Sequence, residues 1–177
     1  MFQPGEEGHH GARFMLDEGL LDVPAGGPRA FALFAHCFTC SKNLKAGAHI
    51  ASALNDAGIA VLRFDFTGLG QSEGEFADTS FSSNVEDLVD AANWLAKHHG
   101  APSILVGHSL GGTASLDAAH QIASAVAVAT IGSPADAEHV LHLLVELLVA
   151  EVAAVLHLHA EATDGAQPLH GRRREDR

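Results

Sequence analysis

The sequence predicts an α/β fold, a three-layer sandwich built on a mostly parallel sheet. Three observations predict it. Strand-like and helix-like stretches alternate through residues 30–131. The strand-like stretches at 30–35, 59–64, 104–106 and 125–131 run almost without polar relief, as strands covered on both faces do. The run Gly107-His108-Ser109-Leu110-Gly111-Gly112 stands between one of these strands and a helix-forming stretch, where only small residues allow a sharp turn.

The chain's 177 residues suffice for one domain with a substantial core. Its 47% hydrophobic and 18% charged content is that of a globular chain. The net charge is −12, and four of the ten basic residues (Arg172, Arg173, Arg174 and Arg177) fall in the last six positions. The first 171 residues therefore set 6 basic against 20 acidic groups, a balance of −14 that repels nucleic acid and anionic membrane. No basic region leads into an apolar one at the N-terminus, so no signal peptide is expected. Glu or His breaks every long apolar stretch well short of a bilayer span. Two cysteines without a secretory signal predict a reducing, cytoplasmic setting.

Taken in order, residues 1–11 read as a frayed Gly/His/Glu-rich end, and His9-His10 has no third ligand at a metal-binding spacing. Phe14, Leu16, Leu20, Leu21 and Val23 suggest one or two modest strands before the turn Ala25-Gly26-Gly27-Pro28. Residues 44–57 read as a helix with Ala46, Ile50, Ala53, Leu54 and Ala57 inward and Gly58 as its stop. Ser83-Asn84-Val85-Glu86 has capping-box spacing and predicts a helix start. Val85, Leu88, Val89, Ala92 and Leu95 then share one face, Gly100 and Pro102 end the helix, and Trp94 is expected to pack. The stretch 125–131 predicts a further buried strand, ending at Gly132-Ser133-Pro134.

The Gly-x-Ser-x-Gly pattern, between strand and helix, is that of a nucleophile elbow. The turn lifts the Ser109 hydroxyl clear of the sheet. The helix's positive end and the Leu110 amide would lie beside it, suited to a developing oxyanion. Two other strands end in motifs: His36-Cys37-Phe38-Thr39-Cys40-Ser41-Lys42, and Asp65-Phe66-Thr67-Gly68-Leu69-Gly70-Gln71-Ser72. In the second, the aspartate and serine are expected to tie down a glycine turn. Cys37 and Cys40 have Cys-x-x-Cys spacing, readable as a thioredoxin-like redox pair or as ordinary loop sequence; with His36 they would crowd one side of a zinc ion.

Together these motifs resemble the α/β-hydrolases. The resemblance implies that the amide after the His-Cys pair, that of Phe38, supplies the second half of the oxyanion hole. Cys37 stands where most relatives have glycine, which suits the role only if its φ is not positive. The fuller pattern, with Phe81-Ser82-Ser83-Asn84-Val85 and Gly132-Ser133-Pro134-Ala135-Asp136, resembles the hydrolase half of bacterial proteins in which an α/β-hydrolase precedes an osmotically-inducible-protein-C-like domain. It covers roughly residues 12–143, and there the Cys-x-x-Cys is ordinary loop sequence.

A complete α/β-hydrolase has two more strands, the triad acid following the first and the histidine the second. After Leu143 the composition shifts to Val, Leu, Ala, Glu and His. The expected organisation is therefore a partial hydrolase core at 1–143 lacking the last strands, and an atypical helix and tail at 144–177. A broken reading frame or truncation is one account of the tail. In the other, residues 154–159 form a late strand, Asp164 or the earlier Asp136 is the acid, and His170 is the base. His157 and His159 would share a face of that strand without a third ligand. Missing strands would leave 126–131 at a sheet edge, only partly covered by a leucine-rich helix at 140–152, which predicts self-association.

The expected chemistry is hydrolysis of a small-molecule ester or related acyl substrate. Ser109 is the nucleophile, the Phe38 and Leu110 amides hold the oxyanion, and no metal or organic cofactor is required. Asp in place of Ser109 would be needed for a dehalogenase. The alternative is a non-catalytic hydrolase-like fragment or interaction module, since no triad acid and histidine stand out.

Overall fold

The computed structural model describes residues 19–136 and residue 138. Its strands are β1 (Leu20–Asp22), β2 (Ala30–Ala35), β3 (Ile59–Arg63), β4 (Pro102–His108) and β5 (Ala127–Ile131). Its helices are α1 (Lys45–Asp56), α2 (Phe81–His98) and α3 (Leu110–Ala118), with a short 3-10 turn at Phe76–Asp78. The sheet order is β1-β3-β2-β4-β5. All neighbours are parallel except β1, which runs antiparallel to β3. This is the mostly parallel α/β sheet the alternation predicts.

The two faces separate by the period of two along each strand. Ala32, Phe34, Val61 and Val106 form one core with Ala51 of α1. Leu33, Ala35, Leu62 and Leu105 form the other with Leu88 and Leu95 of α2 and Ala114 and Ala118 of α3. One helix thus covers one face and two cover the opposite face, giving three layers. Trp94 packs against the larger core.

Three expectations change. In α1 the inward seam is Gly47, Ile50, Ala51 and Leu54, while Ala46, Ala53 and Ala57 are exposed. Small residues on both sides of the helix blur its apolar phase, and the Phe34 ring packs where Gly47 has no side chain. Helix α2 begins three residues earlier than expected. Ser80 is its N-cap, and Ser83 closes the capping box as the third helical residue. The Ser83 amide donates to the Ser80 hydroxyl (3.2 Å) and the Ser80 amide to the Ser83 hydroxyl (2.9 Å). Serine thus fills the position usually held by Glu or Gln.

Strand β5 is not buried. It is the last strand on its side of the described sheet, and only Val128 is better than exposed within it. Val126, just before it, is 84% exposed.

One irregularity lies at the lower end of the β2–β4 pair. Phe31 pairs with Pro102, but Ala32 pairs with Ile104, so Ser103 is an extra residue on β4. Beyond it the pairing is regular up to Ala35 opposite Gly107. The boundary expected at 143/144, the stretch 140–152, and His9, His10, His157, His159, Asp164 and His170 lie outside the described residues.

Candidate active site

Ser109 sits between β4 and α3 at φ 53° and ψ −122°. An L-residue held there stores on the order of 1–3 kcal/mol of strain, which the surroundings must impose. They do so by contact. A Cβ on Gly107 would run into the backbone of Gly111 and Gly112, and one on Gly111 into the carbonyls of Ala35 and His36. The turn is therefore tight against its own helix and against the end of β2. The Ser109 amide donates to the Ile131 carbonyl (2.9 Å), which ties the turn to β5. The Thr113 hydroxyl donates to the Pro134 carbonyl (2.8 Å) from the next turn of α3. The Ser109 side chain is half-buried, and its hydroxyl has no hydrogen-bond partner among the described residues. Leu110 is the first residue of α3 and is buried.

Strand β2 lies beside β4, so the loop after Ala35 stands next to the Ser109 turn. His36 is fully buried there, and its Nδ1 lies 2.8 Å from the Cys37 carbonyl oxygen, a hydrogen-bond distance. Residues 37–40 form a turn closed by the Cys40 amide donating to the Cys37 carbonyl (3.2 Å). The positive φ in this turn belongs to Thr39, at 65°, not to Cys37. Cys37 thus occupies the usual glycine position without backbone penalty. Thr39 and Ser109 are the two non-glycine residues with positive φ among the described residues, one in each turn. Phe38 sets its ring edge-on against Phe76, centroids 4.9 Å apart. Neither its amide nor that of Leu110 donates to a protein acceptor among the described residues.

Sequence reasoning expects two reduced thiols, but the structure joins Cys37 and Cys40 in a disulfide. The turn itself explains how. It sets their Cα atoms 5.3 Å apart, within the ordinary range for a bridge. Bonded sulfurs are not thiolate ligands, so the zinc arrangement with His36 does not form in this state.

The loop is anchored below by a buried charge network. Asp65 accepts from the Lys42 backbone amide, from the Lys42 ammonium (2.8 Å) and from the Gln71 amide (3.0 Å). His36 Nε2 lies 3.4 Å from the same carboxylate. Burial pushes the Asp65 carboxyl up, but the His36, Lys42 and Gln71 contacts outweigh it and hold it well below the usual carboxylate range. The Ser72 hydroxyl donates to the Asp65 carbonyl (2.8 Å), and Gly70, at φ 59°, leaves the carboxylate room that a Cβ would fill. Asp65 and Ser72 thus hold the glycine turn, and Asp65 also holds the loop after β2 through Lys42. Arg63 continues the network, donating to the Lys42 carbonyl (2.7 Å) and to both carboxylate oxygens of Asp22 (2.7 and 3.3 Å). The sequence signals the Asp65 turn, but not that Lys42 reaches it, because the two are brought together only by the parallel β2–β3 pairing.

A second buried carboxylate escapes sequence reading. Asp87, on α2, accepts from the Thr67 amide (2.9 Å) and hydroxyl (3.0 Å). Burial pushes its pKa up to about 6 despite these bonds, with Asp90 and Glu86 adding repulsion. His108, beside Ser109, has a buried Nδ1 with no hydrogen-bond partner among the described residues. Of the acid and base candidates in the tail half, Asp136 is described and exposed, just beyond β5.

Fold and site together define an α/β-hydrolase. The family model for serine aminopeptidase, S33, matches residues 27–172, and the chain belongs to that family. The match runs on past residue 143, through the stretch where the composition changes. An esterase domain from a Rhodothermus marinus protein is 52% identical, with a TM-score of 0.56 over 69% of this chain and 47% of that one. A serine hydrolase without a lid from Xanthomonas campestris is 27% identical, with a TM-score of 0.58 over 66% of this chain and 55% of that one. The mitochondrial palmitoyl-protein thioesterase ABHD10 of Rattus norvegicus is 33% identical over 87 residues, which are 49% of this chain and 28% of that protein. The chain thus spans about a quarter of the length of the curated relatives it matches.

Proposed function

We propose that the chain acts by acyl transfer to water on a small ester or thioester, with Ser109 as the nucleophile. The strained backbone of Ser109 at the strand-to-helix turn carries this reading, since strain of that kind is kept where a side chain must be presented. The Ser109 oxygen attacks the acyl carbonyl, and its proton passes to a base. The carbonyl oxygen becomes an oxyanion between the Phe38 and Leu110 amides, which no protein acceptor among the described residues claims. The tetrahedral intermediate expels the alcohol or thiol, and water then releases the acid. Esterase and thioesterase relatives support the substrate class. No helix among the described residues is long and apolar enough to cross a membrane.

Turnover is expected to be slow. The sequence offers no clearly placed triad acid and histidine after Ser109, and serine without a positioned base loses several orders of magnitude. That same observation favours the second reading, a hydrolase-like module that binds without catalysis. Hydrolysis of p-nitrophenyl acetate by the full chain, compared with Ser109→Ala, decides between them. Slow turnover lost in Ser109→Ala supports the acyl hydrolase; equal rates in the two support the module. Fluorophosphonate labelling should be weak, and His170→Ala and Asp164→Ala should change little. Robust activity abolished by both Ser109→Ala and His170→Ala would show a working base in the tail and overturn the expectation of slow turnover.

A further inference from the structure

We infer that Cys37 and Cys40 form a thiol–disulfide exchange site, responsive to small thiols and disulfides, that sets the shape of the turn presenting the Phe38 amide. The consequence for catalysis rests on the oxyanion role proposed above; the exchange itself does not.

The placement carries the inference. The two cysteines are the first and fourth residues of the turn, and Phe38 and Thr39 are its two central residues. On either side the loop is pinned: His36 is fully buried before the turn, and Lys42 is buried on Asp65 after it. Between those pins one backbone hydrogen bond (3.2 Å) and the disulfide are what close the arch. The arch also contains a strained residue, the β-branched Thr39 at φ 65°, whose relaxation would turn the peptide planes beside it. A bridge across so few residues constrains the unfolded chain little, so its effect is local. Both cysteines are half-buried and Thr39 is exposed, which leaves the pair within reach of a small thiol.

The exchange balances with a low-molecular-weight disulfide as the oxidant. One cysteine thiolate attacks a sulfur of that disulfide and releases one small thiolate. The second cysteine thiolate then attacks the mixed disulfide, closes the Cys37–Cys40 bond and releases the other. Two electrons pass to the small disulfide, and the two cysteine protons end on the two released thiols. Reduction runs the same steps backwards.

The test uses the full chain in mixtures of reduced and oxidised glutathione, quenched by alkylation and read by intact mass. In parallel, exchange of the Cys40 amide is followed by NMR in the oxidised and dithiothreitol-reduced chain. The expected result is reversible conversion between a bridged and a doubly alkylated form, with Cys40 amide exchange about tenfold faster after reduction. Cys40→Ser should trap a glutathione adduct on Cys37. The double variant Cys37→Ser/Cys40→Ser should exchange like the reduced chain in either buffer. If that variant does not fold, the two states of the unaltered chain decide. Full alkylation in oxidised glutathione alone, a bridge that resists dithiothreitol in the folded chain, or equal Cys40 exchange in both states would overturn the inference. Ester turnover unaffected by Ser109→Ala would overturn the acyl-transfer reading alone, because the thiol and amide readouts do not depend on hydrolysis.

Discussion

Lys42 holds Asp65 twice, through its backbone amide and through an ammonium 2.8 Å from the second carboxylate oxygen. Both side chains are buried. Removing one partner therefore leaves an uncompensated charge in the interior. Lys42→Met and Asp65→Asn should each cost about 3–5 kcal/mol, read as a lower urea midpoint with little change in slope.

The pair also gives a pH signature. The folded Asp65 carboxyl titrates below its unfolded value, so its contribution is complete above the unfolded value of about 4 and is lost as pH falls through the folded one. Lys42→Met should unfold at a higher pH than the parent chain in an acid titration followed by circular dichroism. Coincident acid transitions would show that Lys42 does not depress Asp65.

Asp87 predicts the opposite sign. Its carboxyl is raised to about 6 in the folded chain, mainly by burial. Between the unfolded value near 4 and that value the folded state holds the extra proton, so stability falls as pH rises through this window. Asp87→Asn keeps an acceptor for the Thr67 amide and removes the penalty. It should be more stable than the parent at pH 7.5 by about 2 kcal/mol, the equivalent of two pKa units reduced by the altered hydroxyl bond. At pH 4 the difference should shrink toward zero. A stability difference independent of pH would refute this account.

The positive φ values of Ser109 and Thr39 predict gains from glycine. Ser109→Gly and Thr39→Gly should each raise stability by up to about 1 kcal/mol, because relief of strain exceeds the added freedom of the unfolded chain. Ser109→Ala keeps the Cβ and should show no such gain. Urea midpoints for the three variants separate strain from the loss of the hydroxyl.

How far the sequence reaches is clear from particular residues. The turn at Ser109 was legible because its signal is local: an apolar run, small residues and a helix former in unbroken succession. The same holds for the alternation that defines the sheet. The face of α1 was not, because alanines on both sides give no phase, and the Phe34 ring selects Gly47 from across the layer. Nor was the start of α2, because Ser80 and Ser83 are both good caps and only the reciprocal bonds distinguish them. The exposure of β5 depends on what lies beside it, which its own residues do not encode. Lys42, Arg63 and Asp22 meet through strand pairing over 21 to 41 positions, beyond any local pattern.

The position of β5 as the last strand on its side of the described sheet should also show in solution. Val126 and Ile131 are exposed apolar residues at its two ends. Edge-to-edge association is expected at tens of micromolar, and Val126→Lys with Ile131→Lys should reduce it, since charges on an edge oppose pairing. Light scattering across a dilution series checks this; a monomer at every concentration would count against it.

The extra residue at Ser103 acts as a vernier for the two turns at the opposite end of the β2–β4 pair. It is the count of residues below, not anything in the two loops, that decides which position of β4 faces Ala35. One step along a strand is about 3.3 Å, and a one-step slip also exchanges the two faces. Were Ser103 instead paired regularly opposite Ala32, Val106 rather than Gly107 would face Ala35, and the whole Ser109 turn would sit one such step further along past the Phe38 loop, with both loops unaltered in sequence. The relative placement of the Ser109 turn and the Phe38 loop is thus set some four to six residues away from them, at the opposite end of the β2–β4 pair.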